Sequence, residues 1–199
     1  LAVDVGTRNF AHCVYNLETR CVTALENADF LGARKSRQAS LRKTALPRGV
    51  KGLVSSEIYH ILARAASFRD AVLAKHGPMS WVVVENQFKG EMRVIQAALT
   101  ALFTPPGALP LGDGPPRVVF LQPSVVRASM GMPKIASYAA RKAAVVAQAQ
   151  AELRAMDHDP HALHWVDLLE SSDKADDLAD AVLQALFWAR TLDEHDLAE

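Results

Sequence analysis

The chain predicts an α/β fold: a mixed sheet that begins as an antiparallel meander of three strands, continues with parallel strands, and is flanked by helices. Three observations carry this reading. Three short β-rich runs fall within the first thirty residues, joined by connections too short for a crossover. Beyond them, β-rich runs alternate with segments of helical periodicity, the pattern of parallel strands with covering helices. The chain has 199 residues and is 50% hydrophobic, enough for one domain with a sizeable core.

The elements follow in order. Residues 3–5, 11–15 and 22–30 read as the meander. Residues 31–52 carry seven basic residues and no acid, and read as an exposed basic insert. Ile58, Ile61, Leu62, Ala65, Phe68 and Val72 give residues 55–75 a helical period, and Gly77-Pro78 ends that helix. Residues 81–85 form a β-rich run, residues 91–103 a helix, and the Pro- and Gly-rich stretch 104–116 a loop. Residues 117–121 form a buried strand closed by Pro123. Residues 137–156 are Ala-rich and helical, residues 157–164 a loop. A last helix spans 173–190, apolar nearly all round, so that it packs against a sheet or a partner.

Net charge is zero, with 22 Lys and Arg against 22 Asp and Glu, but the distribution is uneven. Residues 1–150 carry 19 basic against 9 acidic residues, and residues 151–199 carry 3 against 13. The basic part suits a polyanion and the acidic part a cation. No uninterrupted apolar run reaches membrane-spanning length. Cys13 and Cys21 are the only cysteines, each in a strand, and read as packed thiols. No cysteine cluster suggests zinc. His158, His161 and His164 fall close together, but Pro160 interrupts them, so they read as a solvated loop. The chain opens inside a strand without an initiator Met, which reads as a trimmed start.

Acids inside apolar runs are the chemical signal. Asp4 sits within Leu1-Ala2-Val3-Asp4-Val5-Gly6, and Glu85 ends Trp81-Val82-Val83-Val84-Glu85. Asp176, Asp177 and Asp180 open the last helix, where spacings of three and four put two carboxylates on one face. A buried acid is costly without a partner. Three such places suggest a shared hard cation. Two strand acids and two helix acids can hold two Mg²⁺ or Mn²⁺ ions about 4 Å apart, the separation used for in-line phosphoryl transfer.

These stretches resemble a known family. Asp4-Val5-Gly6-Thr7-Arg8-Asn9, Val84-Glu85-Asn86-Gln87 with Met92-Arg93-Val94-Ile95-Gln96, Tyr138-Ala139-Ala140-Arg141-Lys142, and Lys174-Ala175-Asp176-Asp177-Leu178-Ala179-Asp180 are similar to the RuvC-type Holliday junction resolvases of the RNase H-like superfamily. The resemblance is closest to the branch of poxviruses and other large DNA viruses, related to fungal mitochondrial resolvases, and spans nearly the whole chain. It implies one RNase H-like nuclease domain over residues 1–199. It implies a homodimeric, Mg²⁺- or Mn²⁺-dependent endodeoxyribonuclease that cuts four-way DNA junctions with two ions per site. It makes Asp4, Glu85, Asp180 and either Asp177 or Asp176 the metal ligands. It places Lys142, with Lys134 as rival, near the scissile phosphate. Arg8, Asn9, Arg34, Lys35, Arg37, Arg42, Lys43, Lys89, Lys134 and Arg141 become candidate DNA contacts. The site of action would be intracellular, wherever DNA replicates or recombines: viral factory, nucleus or mitochondrion.

Three other readings compete. A phosphotransferase of the actin-like and sugar-kinase superfamily shares the motif around Asp4 but needs a duplicated domain and a second Gly-rich loop. A compact RuvC-like nuclease of ribosomal RNA processing would lack the basic insert and the Glu85-Asn86-Gln87 block. A non-catalytic junction-binding module would not keep acids in all three segments. Finally, Leu183, Leu186, Phe187 and Trp188 on the last helix, with Ile95, Leu99, Leu102 and Phe103 on the helix at 91–103, exceed what one sheet face needs. One of these helices is therefore expected at a homodimer interface.

Overall fold

The computed structural model describes residues 1–5, 10–28, 55–86, 90–104 and 115–196. Within them, β1 (Ala2–Asp4), β2 (Phe10–Asn16) and β3 (Cys21–Ala28) form the expected antiparallel meander. α1 (Ser55–His76), β4 (Trp81–Glu85), α2 (Gly90–Phe103) and β5 (Arg117–Leu121) follow. Then come α3 (Pro123–Ser129), α4 (Tyr138–Arg154), α5 (Ala162–Ser171) and α6 (Ala175–Asp196). The sheet order is β3-β2-β1-β4-β5, with β1, β4 and β5 parallel. The basic insert and the loop after α2 fall outside the described residues, except for its ends.

Alternation along the strands sorts the sheet into two faces. Val3, Val5, Phe10, Val14, Val82 and Val84 pack with Ile61, Ala65 and Val72 of α1 and Ile95, Leu99 and Phe103 of α2. Ala2, Ala11, Cys13 and Val83 face the other way, onto α6. Asp4 is two residues from Ala2, and Glu85 two from Val83. Both acids therefore leave their strands toward α6.

The apolar girth of α6 has a source within the chain. Leu178, Ala179, Ala181, Val182, Leu183 and Leu186 are all buried, because α6 lies between the sheet and an outer layer of α3, α4 and α5. Phe187 and Trp188 are half-buried against the same core, and Trp188 meets Trp81 edge to face with ring centroids 5.1 Å apart. In α2, Ile95, Leu99 and Phe103 are likewise buried within the chain. Most of the apolar excess that suggested a partner surface is thus covered internally, with Leu102, Phe187 and Trp188 half-buried.

Two helices depart from the sequence reading. Pro123 does not close a strand but occupies the first turn of α3, where its missing N–H costs nothing. The loop expected over residues 157–164 gives way to α5 at Ala162, and its first half is pinned. The buried Asp159 carboxylate accepts the Val22 backbone N–H at 2.9 Å and the His161 N–H at 2.8 Å. The Trp165 indole N–H donates to the Val22 carbonyl at 3.0 Å, and a ring nitrogen of His158 lies 2.9 Å from the Arg20 carbonyl. Two of the three histidines therefore serve a connector that ties α5 to the meander: His158 by its ring, His161 by its backbone. The strand at 117–121, expected to be buried, is instead the sheet edge: Arg117 and Phe120 are exposed and only Leu121 is buried. Other expectations match more closely. Gly77 ends α1 in the left-handed region, φ 78°, with its N–H on the Leu73 carbonyl. Ser137 caps α4. Both cysteines are free, and burial pushes the Cys13 thiol up to about 12.

Candidate active site

β1 and β4 are neighbours and parallel, with Val3 beside Val84. One residue on, Asp4 and Glu85 emerge together at the carboxyl ends of their strands. Asp4 is only 9% exposed. Its carboxyl is held well above the usual range, first by burial, then by a hydrogen bond and charge from Glu85, then by the charges of Asp180 and Asp177. Four carboxyls from three elements thus act on one another electrostatically.

α6 supplies the other half. Its first turn carries Asp176 and Asp177, where acids favour the positive end of the helix dipole. Burial, then the charge of Glu85, push Asp180 up to about 7, against the pull of Arg127. Burial, then Asp176, push Asp177 up to about 6, against Lys142 and Lys174. The Asp177 Oδ2 atom is buried without a hydrogen-bond partner.

Asp176 behaves differently. It is ion-paired with Lys142 of α4, and that bond chiefly raises the Lys142 ammonium. Lys142 also lies 5.0 Å from the centre of the exposed Tyr138 ring, and the Arg141 guanidinium lies 5.3 Å from it. Lys134 is exposed in the connector before α4. Lys142, not Lys134, is thus the lysine joined to the acids, through Asp176; the charge of Asp177 acts on Asp4, and those of Asp176 and Asp177 both act on Asp180. Arg8, Asn9, Arg34, Lys35, Arg37, Arg42, Lys43 and Lys89 lie outside the described residues.

Among the described residues, no three acid, His or Cys groups already close around one point. The donor chemistry nonetheless fits a hard divalent cation. The acids supply only oxygen, they raise one another's pKa, and one keeps a buried oxygen with no donor. A cation there would relieve the repulsion that now favours the protonated forms.

Two basic residues at this site escaped the sequence reading. Arg127 acts on Asp180, and Lys174 on Asp177. Arg127 carried a signal: it is the single charged residue in the stretch 118–133.

The chain is similar in structure to the yeast mitochondrial Holliday junction resolvase Ydc2, at a TM-score of 0.63 and 16% identity, covering 96% of this chain and 78% of that one. It is also similar to T. thermophilus RuvC, solved in complex with a Holliday junction substrate, at a TM-score of 0.49 and 17% identity, covering 96% and 93%. No protein-family model matches the chain, and no curated protein matches it in sequence. The Ydc2 likeness establishes the fold, an RNase H-like mixed five-stranded sheet flanked by helices. Among the described residues, no helix is long and apolar enough to cross a membrane.

Proposed function

We propose that this chain is a structure-selective endodeoxyribonuclease that resolves four-way DNA junctions by two-metal-ion phosphodiester hydrolysis, acting as a homodimer. The observation that carries the reading is the convergence of Asp4, Glu85, Asp177 and Asp180 from two adjacent strand ends and one helix. The likeness to a structure named as a Holliday junction resolvase supports it.

In this reading Asp4, Glu85, Asp177 and Asp180 hold two Mg²⁺ or Mn²⁺ ions. Bound there, the ions lower the pKa of the attacking water and stabilise the leaving oxygen. The chain's own residues hold and place the substrate. Lys142, anchored by Asp176, presents a positive charge beside the acids for the phosphate that is cut. Tyr138 and Arg141 continue that exposed surface along α4. Arg34, Lys35, Arg37, Arg42 and Lys43 of the basic insert, with Arg8, Asn9 and Lys89, add phosphate contacts. The dyad of a four-way junction asks for two such sites related by two-fold symmetry, which a homodimer provides.

Incubation with a synthetic four-way junction, a matched duplex and a single strand, with and without Mg²⁺, tests the proposal. The expected result is paired, Mg²⁺-dependent cuts in the junction alone. Equal cutting of all three substrates, or none of the junction, would overturn it.

A further inference from the structure

α4 opens at Tyr138, and residues 138–140 are exposed. The Ser137 side chain accepts the Ala140 N–H, so Tyr138 stands on a capped first turn. Tyr138 is 63% exposed. The Lys142 ammonium lies 5.0 Å from its ring centre and the Arg141 guanidinium 5.3 Å. Lys142 is in turn ion-paired with Asp176 of α6. Direct contacts therefore run from the first turn of the acid-bearing helix, through one lysine, to an open aromatic ring. The sequence around that ring has one sign: residues 131–151 hold Lys134, Arg141 and Lys142 and no acid.

A single exposed tyrosine is ordinary on a protein surface. An exposed ring with two cations against it, one of them tied to an acidic site, is not. Aromatic side chains beside basic ones hold unpaired nucleotides, base on ring and phosphates on the cations. In continuous duplex each base is stacked on both sides and shows a protein only its edges. Where four arms exchange strands that stacking is interrupted, and a base leaves it at lower cost. The Tyr138 ring is thus of use to a branch and not to a duplex.

Resting on the nuclease reading above, we propose that Tyr138 reads the branch: its ring stacks on a base unstacked at the strand exchange, beside the phosphate that Lys142 holds. Tyr138 is then a specificity-determining contact and takes no part in the cutting chemistry. Two lesser roles make different predictions: a hydroxyl contact to phosphate, or a prop that only steadies Lys142.

The experiment compares Tyr138→Ala and Tyr138→Phe with the unaltered residue, all in Asp4→Asn protein so that binding is measured without turnover. Each is titrated with a four-way junction and with a duplex of matched sequence. Both carry 2-aminopurine at one of the nucleotides flanking the exchange point, each position in turn. Tyr138→Ala should weaken junction binding about tenfold, the scale of one base stacked on an aromatic side chain, and duplex binding little. Tyr138→Phe should bind as the unaltered residue does, because a ring suffices. At one flanking position the fluorescence change on binding should persist in Tyr138→Phe and vanish in Tyr138→Ala. In protein retaining Asp4, the Tyr138→Ala loss should fall on KM and leave kcat nearly unchanged. Should Tyr138→Ala melt early, Tyr138→Leu carries the same comparison.

Equal weakening on junction and duplex would make Tyr138 part of a general phosphate face and overturn the proposal. So would a Tyr138→Phe variant as weak as Tyr138→Ala, which leaves only the hydroxyl, or a loss confined to kcat, which leaves only the prop. Unchanged binding and fluorescence would overturn it too. If the unaltered protein neither prefers nor cuts the junction, the nuclease reading falls and takes this inference with it. If it does both and Tyr138→Ala matches it, only the inference falls.

Discussion

Lys142 of α4 is ion-paired to Asp176 of α6, one residue before the acid whose charge reaches Asp4. The tandem acids thus differ: Asp176 tethers a lysine, whereas Asp177 has a buried carboxylate oxygen without a partner. Asp177→Asn should therefore cost more cleavage than Asp176→Asn. Lys142→Ala should slow cleavage about 100-fold or less while junction affinity changes only a few-fold, as for one charge placed at a reacting phosphate. Single-turnover rates beside equilibrium binding check this, and an Asp176→Asn variant as slow as Asp177→Asn would contradict it.

Asp4→Asn and Glu85→Gln should lower cleavage by about 10³-fold or more and leave junction binding largely intact, because metal chemistry supplies several kcal/mol of the barrier reduction. Mg²⁺ should raise the melting temperature of the unaltered protein and not that of Asp4→Asn, since a ligand that binds only the folded state stabilises it. Full activity of either variant at ordinary Mg²⁺ would remove these acids from the site.

His12 gives a pH dependence independent of the acids. It is 4% exposed, its ring edge-on to Phe68 with centroids 5.0 Å apart, and its Nδ1 lacks a partner. Burial lowers it from 6.5 to about 4. The folded state keeps it neutral where the unfolded chain would protonate it. The resulting stability is full above pH 6.5 and is lost as pH falls toward 4, up to about 3 kcal/mol. Urea unfolding between pH 4.5 and 7.5 should show a shallower acid loss for His12→Phe than for the unaltered protein. Identical slopes would count against the assignment.

Asp159→Ala removes the acceptor for the buried Val22 N–H and should cost about 2 to 3 kcal/mol, with Asp159→Asn costing less because one oxygen remains. Thermal melting reads both. A neutral Asp159→Ala would mean the connector does not hold the meander.

The basic insert supplies a prediction from sequence alone. Replacing Arg34, Lys35 and Arg37 with Ala should weaken junction binding and flatten its dependence on log salt by up to ~3 units, since each lost phosphate contact releases fewer counterions. Turnover of bound DNA should change less. An unchanged slope would take the segment off the DNA-binding face.

The sheet and its acids were legible because the signals are local. Asp4 and Glu85 stand out against the apolar runs that hold them, and strand alternation fixes the face they share. The helices α3 and α5 were not, because their cues point two ways. Pro123 can stop a strand or start a helix, and the polar run before Ala162 hides an anchored carboxylate. The girth of α6 was visible, but not what covers it. Only the tertiary arrangement reveals that α3, α4 and α5 cover most of it, so that this girth alone does not call for a partner.

The placement of α6 also governs how the site can fail. The helix that presents Asp177 and Asp180 has its next turns, through Leu186, buried between the sheet and three other helices. Such a segment opens only when the core opens. Mild denaturant should therefore not disorder these acids ahead of the rest. Amide hydrogens of α6 should exchange among the slowest in the molecule, and catalytic competence should vanish at the same denaturant concentration as the tertiary fold. Inactivation and unfolding would be one event.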